Sequence, residues 1–542
     1  MKHIITKNLW ILLLFLAVIF SWSGADAQVV VSGNEDALLR GVYEISLATK
    51  QVPLEPFKPN LVQLTFTKPD GNVVIVDAFY DGGSVFRARA YCSMPGDWTW
   101  FCSSEISSLT GKHGKFKVVD SDLPGKLRQD PADLYQFIFD NGDWFLHIGE
   151  TGYRYLTDME RKWKSYINQA VLMGATKIRT WFCQGRHDVQ ILFSDDRNSL
   201  NLEYWKEMDR RLAYSLEQYP QLQFQLIPYG EDTDELKRYA NGDKMAKLIA
   251  DYAQARFSAY PNVQWCISND REIITEGEEK GRKIYASTIH QIAQDMQKRE
   301  PWGTLITNHQ SRFSGYQFVN ANWSDITTLE DLDQVSGELI MQYRDNSTTP
   351  IVMDEDRYET YRQPEHPRYF FRRLMWASLL SGGHATYGGY RTHEAHAIEN
   401  IGKDTIDVRG IQGYYDGSAK LTGGNDFIHI HRFFQDARLT LSGLTPDDGF
   451  VGGDPLQFKC IRDENVCIIY LANPDHPSPE KAKASDSIPN VELLIPDATA
   501  KWFNPSTGKW SEEKKISGGK QKLEAPSAGD WIILLRFSTS TI

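Results

Sequence analysis

The spacing of apolar positions divides the chain into three stretches. Between Val29 and about Asp120, short runs of alternating character at 61–67, 73–79 and 86–91 are separated by the turn sequences Pro69-Asp-Gly71 and Asp81-Gly-Gly83. Alternation sends every second side chain to one face, so these runs predict strands, and their spacing predicts a β-sandwich over residues 28–124. After a hairpin at 137–142 the period changes. Short, nearly continuous apolar runs occur at 144–149, 176–182, 222–228 and 262–270, and again near 304–308, 324–329, 350–354 and 384–387. Helical patterns lie between them: Trp163, Tyr166, Ile167, Ala170 and Val171 share one face of a helix, as do Met245, Leu248, Ile249 and Tyr252. Eight buried strands alternating with helices mean a parallel sheet. With no glycine-rich phosphate loop after the first strand, they predict a closed (β/α)8 TIM barrel over 125–444. Beyond Leu444 strands return at 457–461, 466–471, 491–495 and 531–535, and a second β-sandwich is expected over 445–542. The fold class is therefore multidomain α/β, a barrel flanked by two β-domains.

Two of the barrel runs end in carboxylates, the fourth in Asn269-Asp270 and the seventh in Glu355. Barrels of this kind carry their reactive groups at the C-terminal ends of strands. The two positions are 85 residues apart, which spans roughly three βα units of about thirty residues. Two carboxyl groups facing each other across a barrel mouth point to glycoside hydrolysis, with Asp270 protonating the leaving oxygen and Glu355 attacking the anomeric carbon or activating water. The alternatives are a helix cap for Asp270 and, for Glu355, a solvated or cation-binding place in the acidic run Asp354-Glu-Asp356. Glu272 competes for the acid role. Arg179, closing the second run, is expected to hold Glu355 ionised or to form an ion pair inside the barrel. Glu150, Trp181, His309, Tyr358, Glu359, His384 and Tyr387 lie at or near strand ends and are expected to line the substrate pocket, packing being the alternative for each. Aspartate is one methylene shorter than glutamate, which widens the gap to Glu355 by roughly 1 Å. That moves the pair from the retaining spacing of about 5–5.5 Å towards the inverting range of about 6.5–9.5 Å.

Composition narrows the function classes. The net charge of −12 and the absence of a basic block argue against a nucleic-acid partner. Lys2 and Lys7, the apolar stretch 9–20 and Ala25-Asp-Ala27 have the layout of a secretory signal peptide over 1–27, so the chain is expected to be exported by a bacterium to the periplasm or beyond. No later segment reads as a membrane span. Six scattered cysteines do not make a disulfide scaffold, although Cys460 and Cys467 flank a hairpin tip that would place them opposite each other. His429-Ile-His431 falls in the last helical stretch, where residues two apart do not face one another, and no other cluster has metal-ligand spacing. No Gly-x-Ser-x-Gly elbow is present. Neither a metal nor a cofactor is expected.

At these residues the chain resembles the apiosidase-type relatives of the clan-A glycoside hydrolases. The resemblance rests on Gly149-Glu-Thr151, Gly174-Ala-Thr-Lys-Ile-Arg179, the stretch from Trp265 to Asp270, Glu355-Asp-Arg-Tyr-Glu359, and Ser381-Gly-Gly-His-Ala-Thr-Tyr-Gly388. The first sandwich, with Phe79-Tyr-Asp-Gly-Gly83 and Pro95-Gly-Asp-Trp98, resembles a domain of unknown function that often precedes such barrels. Lys501-Trp-Phe-Asn-Pro-Ser-Thr-Gly508 with Gly529-Asp-Trp531 resembles a C-terminal module named for collagen binding. The resemblance implies a secreted glycosidase acting on an oligo- or polysaccharide, with Asn269 hydrogen-bonding a sugar hydroxyl next to the scissile bond. Two positions depart from the pattern: clan-A enzymes commonly close the fourth strand with Asn-Glu rather than Asn269-Asp270, and Glu150 stands where Asp is expected. The first departure keeps alive a second reading, an inactive carbohydrate- or matrix-binding protein. A polysaccharide lyase would need a Tyr or Lys base beside charge-neutralising groups, and no such constellation stands out.

Overall fold

Eight parallel strands form the central sheet, in chain order Ile148–Thr151, Lys177–Trp181, Gln223–Ile227, Val263–Cys266, Ile306–Thr307, Thr327–Glu330, Ile351–Glu355 and His384–Tyr387. The first pairs with both the second and the eighth, so the ladder runs round from the fifth strand to the sixth, as a TIM barrel requires. Asp325 N donates to Ile306 O at 2.9 Å and Thr307 Oγ1 to Ile326 O at 2.7 Å, bridging the remaining gap. This computed structural model describes residues 28–33, 35–157, 160–183, 189–230, 233–359, 362–389 and 423–538. The expected leader over 1–27 lies outside them. No described helix is long and apolar enough to cross a membrane.

Local sequence explains how the barrel is assembled. On the second strand Lys177, Arg179 and Trp181 point into the barrel, where Lys177 reaches Asp354 of the seventh strand, while Ile178 turns out to the helices. The helix Lys244–Phe257 starts at Asp243, whose carboxylate accepts the N–H groups of Met245 and Ala246, and it buries Leu248, Ile249 and Tyr252 before handing the chain to the fourth strand. The N-terminal end of the barrel is plugged by the hairpin Leu127–Asp130 and Asp133–Phe139, whose Leu127, Phe137 and Phe139 pack on Phe145, Leu305, Ile326 and Val352.

The N-terminal region comprises a four-stranded and a five-stranded sheet. It is tied to the barrel by a buried ion cluster in which Arg89 bridges Glu44 and Asp209 at 2.7 Å each, and Arg256 joins Asp209 to Asp81 at 2.9 and 2.8 Å. The C-terminal region has one larger sheet and a two-stranded one, and Arg372 from the helix Pro367–Leu380 reaches Asp426 and Asp530. Cys460 and Cys467 are staggered rather than opposite: Cys460 faces Ile469 and Cys467 faces Arg462, leaving their sulfurs 3.5 Å apart as thiols. His429 and His431 serve the packing between parts, meeting the carbonyls of Pro505 and Gly174.

Candidate active site

The mouth of the barrel gathers Glu355, Asp270, Asn269, Arg179, His309, Tyr358, Trp181 and two residues that the strand-end reading omitted, Tyr153 and Glu330. Glu355 ends the seventh strand between two other carboxylates with different surroundings. Asp354 points into the barrel interior, bound to Lys177 at 2.8 and 3.0 Å, and Asp356 turns away to accept the N–H groups of Asp333 and Gln334. Glu355 is therefore not part of a solvated acidic loop. Tyr358 donates to its Oε1 at 2.7 Å and Tyr153 to its Oε2 at 2.8 Å, while Arg179 approaches Oε2 at 3.5 Å. Burial pushes this carboxyl up, but His309, Arg179 and the two tyrosine hydroxyls outweigh burial, and its pKa lies below the ordinary glutamate value. His309 adds an N–H dipole rather than a charge, because burial and Arg179 drive it down to about 3.

Arg179 touches the groups named in both of its expected roles. Its guanidinium is wholly buried, bonds the Asp354 carbonyl at 2.6 Å and lies beside the Asp354 carboxylate at 3.5 Å, as a structural ion pair would. The same group holds Gln225, Asn269 and Glu355. Asn269 accepts from Arg179 at 2.7 Å through its amide oxygen, with the Tyr153 hydroxyl that serves Glu355 lying 3.3 Å away, which leaves the amide N–H groups as its donors. Tyr153 stacks on Trp181 with ring centroids 4.2 Å apart, fixing the floor beneath Glu355.

Asp270 follows the fourth strand with a left-handed backbone, φ +45°, a conformation that Asp tolerates better than most side chains. Its N–H donates to His309 Nδ1 at 3.1 Å, and no helix follows: the next element is the strand Glu272–Ile274, which pairs in parallel with Lys283–Tyr285. The cap reading therefore falls. Burial and then the charge of Glu355 push the Asp270 carboxyl up to about 7, against hydrogen bonds from Glu330 and Ser311. Arg282, itself half-exposed, pairs with Asp270 from the solvent side, and that contact favours the ionised carboxylate against the rise. Glu272 pairs with Lys283 at 3.3 Å on that outer strand and is half-buried at most, so it does not join the cluster.

Four of the expected pocket residues lie elsewhere. His384 opens the eighth strand and so sits at the opposite, N-terminal end, stacked among His147 and Phe137 with Nε2 at 3.1 Å from the Tyr135 carbonyl. Glu150, Tyr387 and Glu359 turn outward. Thr386 points into the barrel at Asp354 and Gly149 lies against it, so alternation sends the neighbouring Glu150 and Tyr387 to the helix side. There Tyr387 packs on Phe371 and Phe427 and donates to Glu359. In their place the structure supplies Glu330, which closes the sixth strand one residue beyond the apolar run, beside Glu355.

His309, Glu330 and Glu355 have potential ligand atoms within 4.8 Å of one another. They do not fit a metal. Because His309 Nδ1 accepts the Asp270 N–H, the ring proton sits on Nε2, 3.7 Å from Glu355, and a cation there would meet a proton rather than a lone pair.

The pattern of the apiosidase-like catalytic domain matches residues 135–440, more than half of the chain. The chain belongs to the apiosidase-like family. It is accordingly a glycosidase. Residues 41–105 match a domain of unknown function, DUF5060. Among solved structures, a protein of Bacteroides vulgatus ATCC 8482 assigned to the glycoside hydrolases superposes with a TM-score of 0.70 at 15% identity, over 93% of this chain and 100% of that one. A family 5 glycoside hydrolase from the same organism gives 0.60 at 15% identity, over 77% and 95%. At such identity the likeness is one of fold. A search of curated proteins returns no match.

Proposed function

We propose that this glycosidase cleaves O-glycosidic bonds of a complex polysaccharide, with Asp270 as the general acid and Glu355 as the base or nucleophile, in an exported protein. The observation that carries the reading is the split between two neighbouring carboxyls. Asp270 is pushed up to about 7 and can carry a proton, while the hydrogen bonds and Arg179 around Glu355 keep it ionised. Environments that drive two carboxyl groups apart are how such pairs divide acid and base work. Asp270 would give its proton to the leaving oxygen as Glu355 acts on the anomeric side, directly or through water. Asn269 offers N–H donors beside the pair for a sugar hydroxyl, and Trp181 with Tyr153 gives an aromatic floor. Export is supported by the leader-like sequence over 1–27.

The test is reducing-sugar release from a panel of plant, algal and host glycans, set beside binding to the same panel. Turnover lost in Glu355→Gln with binding retained supports the reading. Binding without turnover in the wild type would favour the matrix-binding alternative, and the collagen-type module would then be the first place to look for the binding surface.

A further inference from the structure

Tyr358, which donates to Glu355 Oε1, belongs to no strand or helix and sits in the segment that follows the seventh strand. Its neighbour Arg357 anchors that segment. The Arg357 side chain is 10% exposed, and its guanidinium forks onto both carboxylate oxygens of Asp333 at 2.6 and 2.8 Å, meets the Arg362 carbonyl at 2.9 Å and reaches Glu480 at 2.8 Å. Asp333 comes from the loop after the sixth strand and Glu480 from the C-terminal region. The Glu480 carbonyl also accepts the Glu365 N–H at 2.7 Å, so the C-terminal region holds this segment at two points. The backbone on either side of Arg357 and Tyr358 is tied as well. The Asp356 carboxylate takes the N–H groups of Asp333 and Gln334 at 3.0 Å each, and the Glu359 N–H meets the Gly389 carbonyl at 3.0 Å. Gly388 packs so tightly that a Cβ there would overlap the Arg357 carbonyl oxygen.

We propose that Arg357 is a positioning residue: clamped between Asp333 and Glu480, it holds the Tyr358 hydroxyl on Glu355, and through Glu480 the C-terminal region takes part in setting the active site. The proposal rests on the assignment of Glu355 above. A guanidinium forked onto a carboxylate fixes direction as well as distance, and a hydroxyl donates well only within a narrow range of both. Slackening at residue 357 passes through one peptide unit to Tyr358 and weakens the bond to Oε1, while Oε2 keeps Tyr153. The two arms of the clamp differ in weight. Asp333 contributes two bonds, and Glu480 one, from a side chain 40% exposed, where water competes for the pair.

A double-mutant cycle in the full chain, read as kcat/KM against pH on the cleaved glycan, tests this. Arg357→Met keeps the aliphatic stem and removes the fork. It is expected to lose up to about tenfold, within the span of a hydrogen bond to a charged group, and to move the acidic limb to higher pH, because a Glu355 with a weaker donor takes up its proton more readily. Added to Tyr358→Phe it should cost little more, since both changes act on the same bond. Asp333→Asn, which keeps the left-handed backbone at φ +64°, and Glu480→Ala should shift the limb the same way, Glu480→Ala the less. An unmoved limb in Arg357→Met, or losses that multiply with those of Tyr358→Phe, would mean that Arg357 only stabilises the fold and would overturn the proposal. If near-ultraviolet circular dichroism shows Arg357→Met misfolded, the two flanking variants decide, and an unmoved limb in both overturns it. An inactive Glu355→Gln beside an unmoved limb in Arg357→Met defeats the clamp alone, whereas normal turnover by Glu355→Gln defeats the assignment on which it rests.

Discussion

Replacing Tyr358 by Phe removes a single O–H from the mouth of the barrel, and the structure assigns that O–H a definite load. Glu355 Oε1 accepts from Tyr358 at 2.7 Å, whereas Oε2 is served by Tyr153 at 2.8 Å and approached by Arg179 at 3.5 Å. Losing the hydroxyl leaves Oε1 of a mostly buried carboxylate without the donor that Tyr358 supplies, and the ring remains to fill the space. A hydrogen bond to a charged group is worth about 1.5–3 kcal/mol, which is about ten- to 150-fold in kcat/KM if the ionised form carries the reaction. The sign of the pH effect follows from the depressed pKa. The native surroundings keep Glu355 ionised below the ordinary glutamate range, so weakening them moves the acidic limb of kcat/KM to higher pH, and activity is lost first on the acid side. Tyr153→Phe should shift the same limb less, because Arg179 still attends Oε2. The assay is kcat/KM against pH on the cleaved glycan for the wild type and both variants, with near-ultraviolet circular dichroism to check the fold. An unmoved acidic limb in Tyr358→Phe, or a larger shift in Tyr153→Phe, would refute the reasoning.

The basic limb should report Asp270: activity is expected to fall above a pH of about 7, and Asp270→Asn should abolish that limb, which pH profiles on an activated aryl glycoside can read. Arg89→Leu leaves Glu44 and Asp209 facing each other without the guanidinium that bridges them, and urea denaturation of the full chain should show a loss of about 3–5 kcal/mol. A shift under 1 kcal/mol would mean that the N-terminal sheets dock without that cluster. The shorter Asp side chain leads us to expect inversion, and NMR of the first-formed sugar should show the anomer opposite to the substrate.

Period and strand-end logic made most of this site legible. All eight barrel runs became strands, and Asp270 and Glu355 lie at the ends where the alternating pattern put them. Glu330 obeys the same rule and was lost by a single residue, because the apolar run stops at Leu329 while the strand continues to Glu330. Tyr153 gave no periodic signal, since it lies in the segment after the first strand and reaches Glu355 through three-dimensional packing. His384, Glu150 and Tyr387 show where the rule needs a second coordinate. Being on a strand does not say which end, and being at the correct end does not say which face. His384 occupies the wrong end, and the inward Thr386 and Gly149 force their neighbours to the outer face. The helix-cap alternative for Asp270 could not be dismissed from sequence either, because the strand that replaces the helix pairs with Lys283–Tyr285, a contact without local pattern.

The most direct test of the acid and base assignment is the leaving-group dependence of two variants on one cleaved sugar, supplied once as an aryl glycoside with a good leaving group and once with its natural linkage. Asp270→Asn should lose about 10²–10⁴-fold on the natural linkage, the usual worth of a general acid, and far less on the aryl glycoside, which needs no protonation. Glu355→Gln should lose both. Equal losses of Asp270→Asn on the two substrates, or selective loss in Glu272→Gln instead, would contradict the account.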